Sequence, residues 1–188
     1  ANYVELKENL MEKADYHITY DTDTEVMMHY ISRELRGSKR PNLVKVFTRL
    51  AQKFDGCFNI SFINAYGEMI ILRDPYGFRP IVYGQKDEMF LVASESNALM
   101  NCGITNYKDL PAGHLIYINE HGKIEVKKYA ETRRKAHCMF EWVYFANVSS
   151  VIDGKSVYIS RKNLGTELAK QETEKITNEH VIIPVPDT

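Results

Sequence analysis

The sequence predicts an α+β fold, because helical patterns fill its first third and short strand patterns follow one another through its middle. The helical stretches repeat apolar residues at intervals of three and four positions, whereas the middle has short runs rich in β-branched and aromatic residues. Strands that succeed one another without intervening helices indicate antiparallel pairing rather than a doubly wound sheet. A length of 188 residues suits one domain with a short extension.

Three helices are predicted before the strands. The first covers NYVELKENLMEKA, and its abrupt start leads us to expect a preceding segment. The second follows DTDT, where Thr22 and Glu25 have the spacing of a capping box, and Gly37 is its expected stop. The third covers residues 42–54 and is ended by Gly56.

The strands predicted for the middle are FNISFIN, EMIILRD, PIVYG and MFLVAS. HLIYINEHGKIEVKKYA predicts a hairpin that turns at His121 and Gly122. A further helix is predicted over residues 156–176. The tail VIIPVPDT predicts a new strand followed by a loop, although Pro184 and Pro186 make it a poor central strand.

Composition excludes several classes of function. The net charge of −1 gives no reason to expect nucleic acid or an anionic membrane as partner, and no apolar run is long enough to span a bilayer. No glycine-rich phosphate loop is present. Three widely separated cysteines, Cys57, Cys102 and Cys138, indicate reduced thiols in a cytoplasmic protein, and we expect them to be buried or half-buried. His137 and Cys138 are neighbours that face opposite ways on a strand, so they are not expected to act as a catalytic pair.

The motif DTDTEV places Asp23 in the first turn of a helix. The exposed amide groups and the macrodipole favour a carboxylate there, so helix capping alone explains the residue. The functional alternative is that Asp23 points into a pocket and pairs with the ammonium group of a ligand.

The motif RDPYGFRP packs Arg73, Asp74 and Arg79 around a Pro-Tyr-Gly turn in which Gly77 supplies a positive φ. Turn formation and local ion pairs explain this pattern without any function. In VASES, which ends a strand, Glu95 is a candidate buried partner for one of the two arginines.

Taken in order, these motifs resemble the glutaminase half of the amidophosphoribosyltransferases, a family of amidotransferases with an N-terminal nucleophile. The resemblance spans essentially the whole chain. DTEV, RDPYGFRP and ASES also resemble asparagine synthetase, and DTEV resembles the hexosephosphate aminotransferase. The more specific motifs for the phosphoribosyl enzyme are FEWVYFA, IDGKSVY with RKNLG, and PVPDT.

The resemblance implies a four-layer αββα sandwich in which an N-terminal cysteine attacks the amide of glutamine. It further implies that Asp23 binds the α-amino group of glutamine, and that Arg73, Asp74, Gly77, Arg79 and Glu95 are structural residues near that site. Ammonia would pass to a transferase domain and displace pyrophosphate from phosphoribosyl pyrophosphate with the help of Mg²⁺. The parent enzyme is expected to be a cytoplasmic homo-oligomer.

The sequence departs from the family pattern at several points. Its first residue is Ala1, and all three cysteines are internal, whereas the mechanism needs the free amine of an N-terminal cysteine. The glutamine-binding arginine and the Asn-Gly oxyanion pair would precede Ala1, and the phosphoribosyl pyrophosphate loop would follow Thr188. FANVSS replaces the usual FARPDS. Some relatives carry a [4Fe–4S] cluster with one ligand near the position of Cys138 and the others outside these residues. Because relatives without a cluster also have this cysteine, Cys138 is a candidate ligand and no cluster is assigned.

We therefore expect a fragment truncated at its N-terminus. Residues 1–136 would form an incomplete glutaminase domain, and residues 137–188 would form the connecting segment and the start of the transferase domain. The fragment alone is expected to be inactive, and its sheet is expected to have an open edge that causes poor solubility or pairing with a partner. Two alternatives stay open: another amidotransferase, such as asparagine synthetase, and a degenerate module that binds an amino acid without catalysis.

Overall fold

The computed structural model describes residues 2–12, 17–20, 22–132 and 134–183, and it has the mixed helix and sheet content that the sequence predicts. The helices are α1 (Tyr3–Met11), α2 (Asp23–Leu35), α3 (Leu43–Leu50), α4 (Ser96–Asn101), a short π-helix (Glu141–Phe145) and α5 (Val157–Gln171). The strands are β1 (Asn59–Ile63), β2 (Met69–Arg73), β3 (Val82–Lys86), β4 (Met89–Ala93), β5 (Tyr107–Asp109), β6 (His114–Ile118), β7 (Ile124–Lys128), β8 (Val151–Ile152) and β9 (Lys155–Ser156).

The strands form two main antiparallel sheets. The first has four strands in the order β1-β2-β6-β7, and the second has three in the order β4-β3-β5. A small hairpin of β8 and β9 forms a third sheet. The predicted hairpin around His121 and Gly122 is confirmed, because β6 pairs with β7 in a register that matches Ile118 with Ile124.

The alternation of side chains along each strand builds a four-layer sandwich. In β2, Ile70 and Leu72 pack in one core cluster with helices α1, α2 and α3. Ile71 points to the opposite face, where it packs with Ile81 of the segment leading into the second sheet. Val82, in turn, packs with Leu99 of α4 on the far side of that sheet. Because neighbouring residues of a strand face opposite ways, one strand serves two cores, and the helix–sheet–sheet–helix order follows.

Most local predictions are confirmed, with shifted ends. Helix α2 begins where the capping pattern places it and ends at Leu35, before Gly37 with φ of 84°. Helix α3 ends at Leu50, earlier than predicted, because the chain tightens into turns in which Lys53 donates to the carbonyl of Leu50. Helix α5 ends at Gln171 rather than near residue 176.

The predicted strand in the tail is wrong for residues 181–183. These residues are in irregular conformation, and the side chains of Val181, Ile182 and Ile183 are at least 80% exposed. A strand exists only where its N–H and C=O groups pair with another strand, and no sheet of the described residues includes them. The rest of that prediction, PVPDT with Pro184 and Pro186, lies outside the described residues.

The C-terminal part has a small core of its own. Ala146, Ile152 and Val157 are buried together, with Trp142 packed against them. The boundary between residues 136 and 137 stays a prediction. No helix in the described ranges is long and apolar enough to cross a membrane.

Candidate functional site

The candidate site is a cavity of about 470 Å³ between helix α2 and strand β1, which is an edge strand of the four-stranded sheet. Its helix side is lined by Asp23, Thr24, Met27, Met28 and Ile31, and its strand side by residues 57–62. A smaller cavity of about 30 Å³ continues toward Asn2 and shares Asp23 and Cys57 with the larger one. The walls are thus mainly apolar, with one carboxylate at the start of the helix.

Local capping positions Asp23. The hydroxyl of Thr22 accepts a hydrogen bond from the N–H of Glu25 at 3.3 Å, as the capping pattern predicts. The Glu25 carboxylate does not bond as it would in a capping box. It accepts hydrogen bonds from the N–H groups of Thr19 and Tyr20 at 2.8 and 2.6 Å. Glu25 therefore fixes the chain that enters the helix, and Asp23 does not have to serve as the cap.

The Asp23 carboxylate remains open to a ligand. Within the described ranges, the Asp23 carboxylate accepts one hydrogen bond, from the hydroxyl of Thr24, and at 3.4 Å this bond is long. Asp23 is exposed, and it lines both cavities. A carboxylate on a rigid helix start next to an apolar wall can pair with an ammonium group while the wall contacts an aliphatic chain.

Cys57 is the residue of this site that sequence reasoning missed. It lines both cavities and is exposed, as is Cys102, so the expectation of buried or half-buried thiols is wrong for these two cysteines; Cys138 is half-buried as expected. The error arose because cysteine burial was inferred from residue type, whereas Cys57 follows the turn at Gly56 that leads to an edge strand.

The Cys57 thiol is a poor nucleophile in this setting. Packing of protein around the sulfur raises the pKa of Cys57, and the negative charge of Asp74 raises it further. Arg79, which lies close enough to interact with the thiol, acts in the opposite direction but does not outweigh them. A raised pKa lowers the fraction of thiolate at neutral pH, and the thiolate is the reactive form.

The turn RDPYGFRP forms as predicted, and Gly77 in it has a positive φ of 64°. The buried Asp74 carboxylate accepts from the N–H groups of Tyr76 at 2.8 Å and Phe78 at 3.1 Å. Burial raises the pKa of Asp74, although these backbone hydrogen bonds oppose the rise. Asp74 therefore shapes the turn, and the turn brings Arg79 next to Cys57.

The two arginines of this motif have partners far along the chain. Arg73 is 1% exposed, and its guanidinium donates to both oxygens of Asp153 at 2.9 and 2.7 Å. Arg79 donates to Glu141 and lies 4.7 Å over the ring of Phe145. Both partners lie in motifs quoted for the resemblance, but nothing in their local spacing marked them as arginine partners.

Glu95 was predicted to pair with one of these arginines, and this is wrong. Its carboxylate accepts from the N–H of Asn147 at 2.7 Å and from the hydroxyl of Ser150 at 2.9 Å. The two arginines already form ion pairs with Asp153 and Glu141. Glu95 instead binds the C-terminal segment through these two hydrogen bonds. Asp74 and Arg79 thus lie close enough to Cys57 to influence its thiol, and Asp23 lines the same cavities as Cys57, whereas Arg73 and Glu95 are not among the residues that line them.

Cys138 is the candidate ligand for an iron–sulfur cluster. Such clusters are held by several cysteine thiolates. In the described part of the chain no group of three or more His, Cys, Asp or Glu side chains could hold a metal ion. The further ligands that a cluster at Cys138 needs would therefore come from outside the described residues, and a cluster in the parent enzyme stays a prediction.

Known proteins with similar sequences are amidotransferases, which agrees with the geometry of the site. Residues 1–101 match the glutamine amidotransferase domain family. The amidophosphoribosyltransferase of Methanothermobacter thermautotrophicus is 34% identical over 187 residues, and that of Escherichia coli is 34% identical over 207. Each match covers 100% of this chain but only 38% and 40% of the relative, so the chain spans about two fifths of the length of these proteins.

Two solved structures share the fold. A glutamine phosphoribosylpyrophosphate amidotransferase from B. subtilis, complexed with ADP and GMP, superimposes with a TM-score of 0.79 at 29% identity. A structure described as the allosteric regulatory enzyme of purine biosynthesis superimposes with a TM-score of 0.80 at 29% identity. Each covers 93% of this chain, and the chain covers 37% and 36% of the two structures. The predicted N-terminal-nucleophile sandwich is confirmed by this likeness.

Proposed function

Since the chain belongs to the glutamine amidotransferase domain family, we propose that it forms part of an amidophosphoribosyltransferase. The whole enzyme would transfer the amide nitrogen of glutamine to phosphoribosyl pyrophosphate, giving phosphoribosylamine, glutamate and pyrophosphate. This is the first committed step of purine biosynthesis. The observation that carries the proposal is the exposed carboxylate of Asp23, which within the described ranges accepts only a long hydrogen bond and lines the cavity of an amidotransferase fold. The likeness to these enzymes covers the whole of this chain.

In this proposal Asp23 binds the α-ammonium group of glutamine. The helix start holds the carboxylate in place, and the cavity wall formed by Met27 and Ile31 offers contact to the aliphatic part of the side chain. An ion pair that is partly shielded from water by such a wall is stronger than one in bulk solvent. Asp23 therefore contributes to affinity for glutamine, and it takes no part in the chemistry of the amide.

We do not assign the nucleophile that attacks glutamine to any of these residues. An N-terminal cysteine is activated by its own α-amino group, whereas Cys57, Cys102 and Cys138 are all internal. Cys57 is the one that lines the cavity, and its raised pKa opposes attack by a thiolate. We therefore propose that a polypeptide of these 188 residues alone does not hydrolyse glutamine.

Further properties of the whole enzyme are proposals from the same resemblance. Mg²⁺ would act at the transferase part with phosphoribosyl pyrophosphate, and residues 137–188 would connect the glutaminase part to it. We propose a cytoplasmic homo-oligomer that binds neither nucleic acid nor membrane. The net charge of −1 supports the last point for these 188 residues alone, because such partners attract strongly basic surfaces.

The test is the variant Asp23→Asn in the full-length polypeptide that contains these residues. Losing the charge of one hydrogen-bonded pair should raise KM for glutamine roughly ten- to hundredfold. The rate with ammonia in place of glutamine should stay unchanged, because free ammonia needs no glutamine site. The matched control is Asp87→Asn in the exposed turn between β3 and β4, which should change neither rate. An unchanged KM for glutamine in Asp23→Asn would remove Asp23 from the site.

A further inference from the structure

The RDPYGFRP turn, residues 73–80, has no role in the function proposed above. Arg73 and Asp74 serve the structure of the turn and of the C-terminal hairpin. Arg79 differs from them, because its side chain lies near the thiol of Cys57 and also pairs with a carboxylate of the π-helix. The second half of the turn therefore has contacts in two directions, toward the cavity and toward the C-terminal segment.

One side of the turn contacts residues that line the two cavities. The hydroxyl of Tyr76 donates to the carboxylate of Asp55 at 2.8 Å, and Asp55 lines the smaller cavity. The side-chain amide of Asn59 donates to the carbonyl of Pro80 at 3.4 Å, and Asn59 lines the larger cavity. The turn thus contacts the strand side of the cavity both before and after Cys57.

Arg79 contacts the same wall at Cys57, which lines both cavities together with Asp23. The charge of Arg79 lies close enough to the Cys57 thiol to oppose the rise in its pKa. Residues 55, 57 and 59 alternate along the chain, so the turn supports one face of this stretch.

The other side of the turn is bonded to the segment that leads into the π-helix. The N–H of Ala136 donates to the carbonyl of Tyr76 at 3.0 Å, and the N–H of Cys138 donates to the carbonyl of Phe78 at 3.1 Å. The turn therefore lies between the cavity wall and residues 136–138.

The side chain of Arg79 joins these two sides. Its guanidinium donates to the carboxylate of Glu141, which is only 7% exposed, and it lies 4.7 Å over the ring of Phe145. A hydrogen bond between two charged groups is stronger and more directional than one between neutral groups, so Glu141 fixes the guanidinium. Both partners belong to the π-helix, a kind of helix that is frequent at functional sites.

We propose that Arg79 is a positioning residue for glutamine binding: held by Glu141, it fixes the cavity wall at Cys57. This inference rests on the proposed function and deepens it, because Glu141 lies in residues 137–188 and would adjust a site formed outside them. Arg79 takes no part in the chemistry of the amide. A small displacement of the wall is enough to weaken binding, because a bound ligand depends on the exact position of the groups around it.

The test measures KM for glutamine in variants of the full-length polypeptide that contains these residues. Glu141→Gln keeps the shape of the side chain but removes the charge that holds Arg79, and KM should rise about five- to tenfold. The rate with ammonia in place of glutamine should stay unchanged. Arg79→Met should raise KM by a similar factor, and Arg79→Lys should raise it less, because lysine keeps the charge but lacks the planar fork.

Glu34→Gln is the matched control. Glu34 accepts from Arg49 and Lys53 at 2.8 Å each, and it lines neither cavity. This variant also loses ion pairs, but it should not change KM for glutamine. An equal rise of KM in Glu34→Gln and Glu141→Gln would overturn the proposal, and so would an equal loss of the ammonia-dependent and glutamine-dependent rates. If Glu141→Gln does not fold, as judged by urea unfolding, the comparison of Arg79→Lys with Arg79→Met decides.

The double variant of Arg79→Met and Glu141→Gln tests whether Glu141 acts through Arg79. If it does, the double variant should have the same KM as Arg79→Met, because the interaction can be lost only once. Multiplied effects of the two changes on KM would overturn the proposed connection.

Calorimetric binding of glutamine separates this inference from the proposed function. If the parent protein uses glutamine and Arg79→Met has an unchanged KM, the inference fails and the proposed function stands. If the parent binds glutamine but forms no phosphoribosylamine, and Glu141→Gln binds glutamine more weakly, the positioning role stands and the enzyme assignment fails. A parent that neither binds nor uses glutamine would overturn both.

Discussion

Arg73 and Asp153 form a two-point ion pair between residues that are 80 positions apart, with N–O distances of 2.9 and 2.7 Å. Arg73 ends strand β2 and is almost fully buried, whereas Asp153 lies in the hairpin of β8 and β9. The remaining N–H directions of the guanidinium are used by the carbonyls of Arg79, Leu110 and Gly77. One side chain therefore joins the central sheet, the RDPYGFRP turn and the C-terminal segment.

The variant Asp153→Asn should destabilise the protein. It leaves the buried guanidinium of Arg73 without its counter-charge, and breaking such a pair costs about 3 kcal/mol or more in the free energy of unfolding. Asparagine tolerates the positive φ of 47° at this position, so the backbone is not the cause. The measurement is urea-induced unfolding of each variant.

Asp87→Asn is the matched control for this prediction. Asp87 is the other described non-glycine residue with a positive φ, 53°, and it lies in an exposed turn. Its change should stay within about 0.5 kcal/mol. Equal losses in the two variants would show that the backbone conformation, and not the ion pair, accounts for the effect.

The contribution of Asp153 should depend on pH. Burial by itself would raise the pKa of Asp153, but its hydrogen bonds to Arg73 and the charge of Arg73 outweigh burial and hold the pKa below its ordinary value. A carboxylate with a lowered pKa in the folded state adds stability above its unfolded pKa of about 3.9, and this stability is lost as the pH falls through the folded pKa. The difference in unfolding free energy between the parent protein and Asp153→Asn should therefore be full at neutral pH and shrink well below pH 4. An equal difference in strong acid would contradict this explanation.

The variant Gly113→Ala should be more harmful than a typical glycine replacement. Gly113 has a φ of 70°, and a Cβ there would lie 2.5 Å from the carbonyl oxygen of Ala130. The strain and the clash with backbone together should lower the free energy of unfolding by about 3 kcal/mol or more.

Gly122→Ala isolates the strain of the positive φ. Its φ is 76°, but an added Cβ meets nothing within 4 Å. It should lose about 1–2 kcal/mol, the cost of the left-handed conformation alone. Thermal or urea unfolding of both variants measures the difference, and equal losses would mean that the backbone near Ala130 moves to accept the methyl group.

The variant Cys57→Ser should keep most of the parent's glutamine-dependent activity in the full-length polypeptide. The reason is that the raised pKa of Cys57 leaves little thiolate, so its thiol lines the cavity without reacting. The measurement is steady-state glutaminase activity at saturating glutamine. Complete loss of activity in a variant that unfolds at the parent's urea concentration would make Cys57 the nucleophile and overturn this assignment.

Local structure was largely predictable from the sequence. The apolar periodicity of α2 and α3, the cap at Thr22 and the turn glycines all specify features formed within a few residues of one another. The placement of Asp23 at the first turn of a helix was predictable for the same reason. Helix ends shifted because the last turns depend on contacts outside the helix.

The tail and Glu95 show where this reasoning fails. Residues 181–183 have the composition of a strand, but composition cannot supply the neighbouring strand that a sheet needs. Glu95 has the charge to pair with an arginine, but the arginines are occupied by Asp153 and Glu141, which no local spacing connects to them.

The sequence by itself determined helices α1 to α3 and α5, strands β1 to β4, β6 and β7, the conformation of the turns and, through its motifs, the family, whereas α4, β5, β8 and β9 were not predicted. The tertiary structure alone decided that Ile70 and Ile71 face different cores, that Cys57 lines the cavity beside Asp23, and that Arg73 bonds to Asp153. The physical reason is the distance along the chain over which each kind of interaction acts. Backbone hydrogen bonding and side-chain periodicity act over a few residues, whereas the partners of a buried charge and the walls of a cavity depend on how distant segments pack.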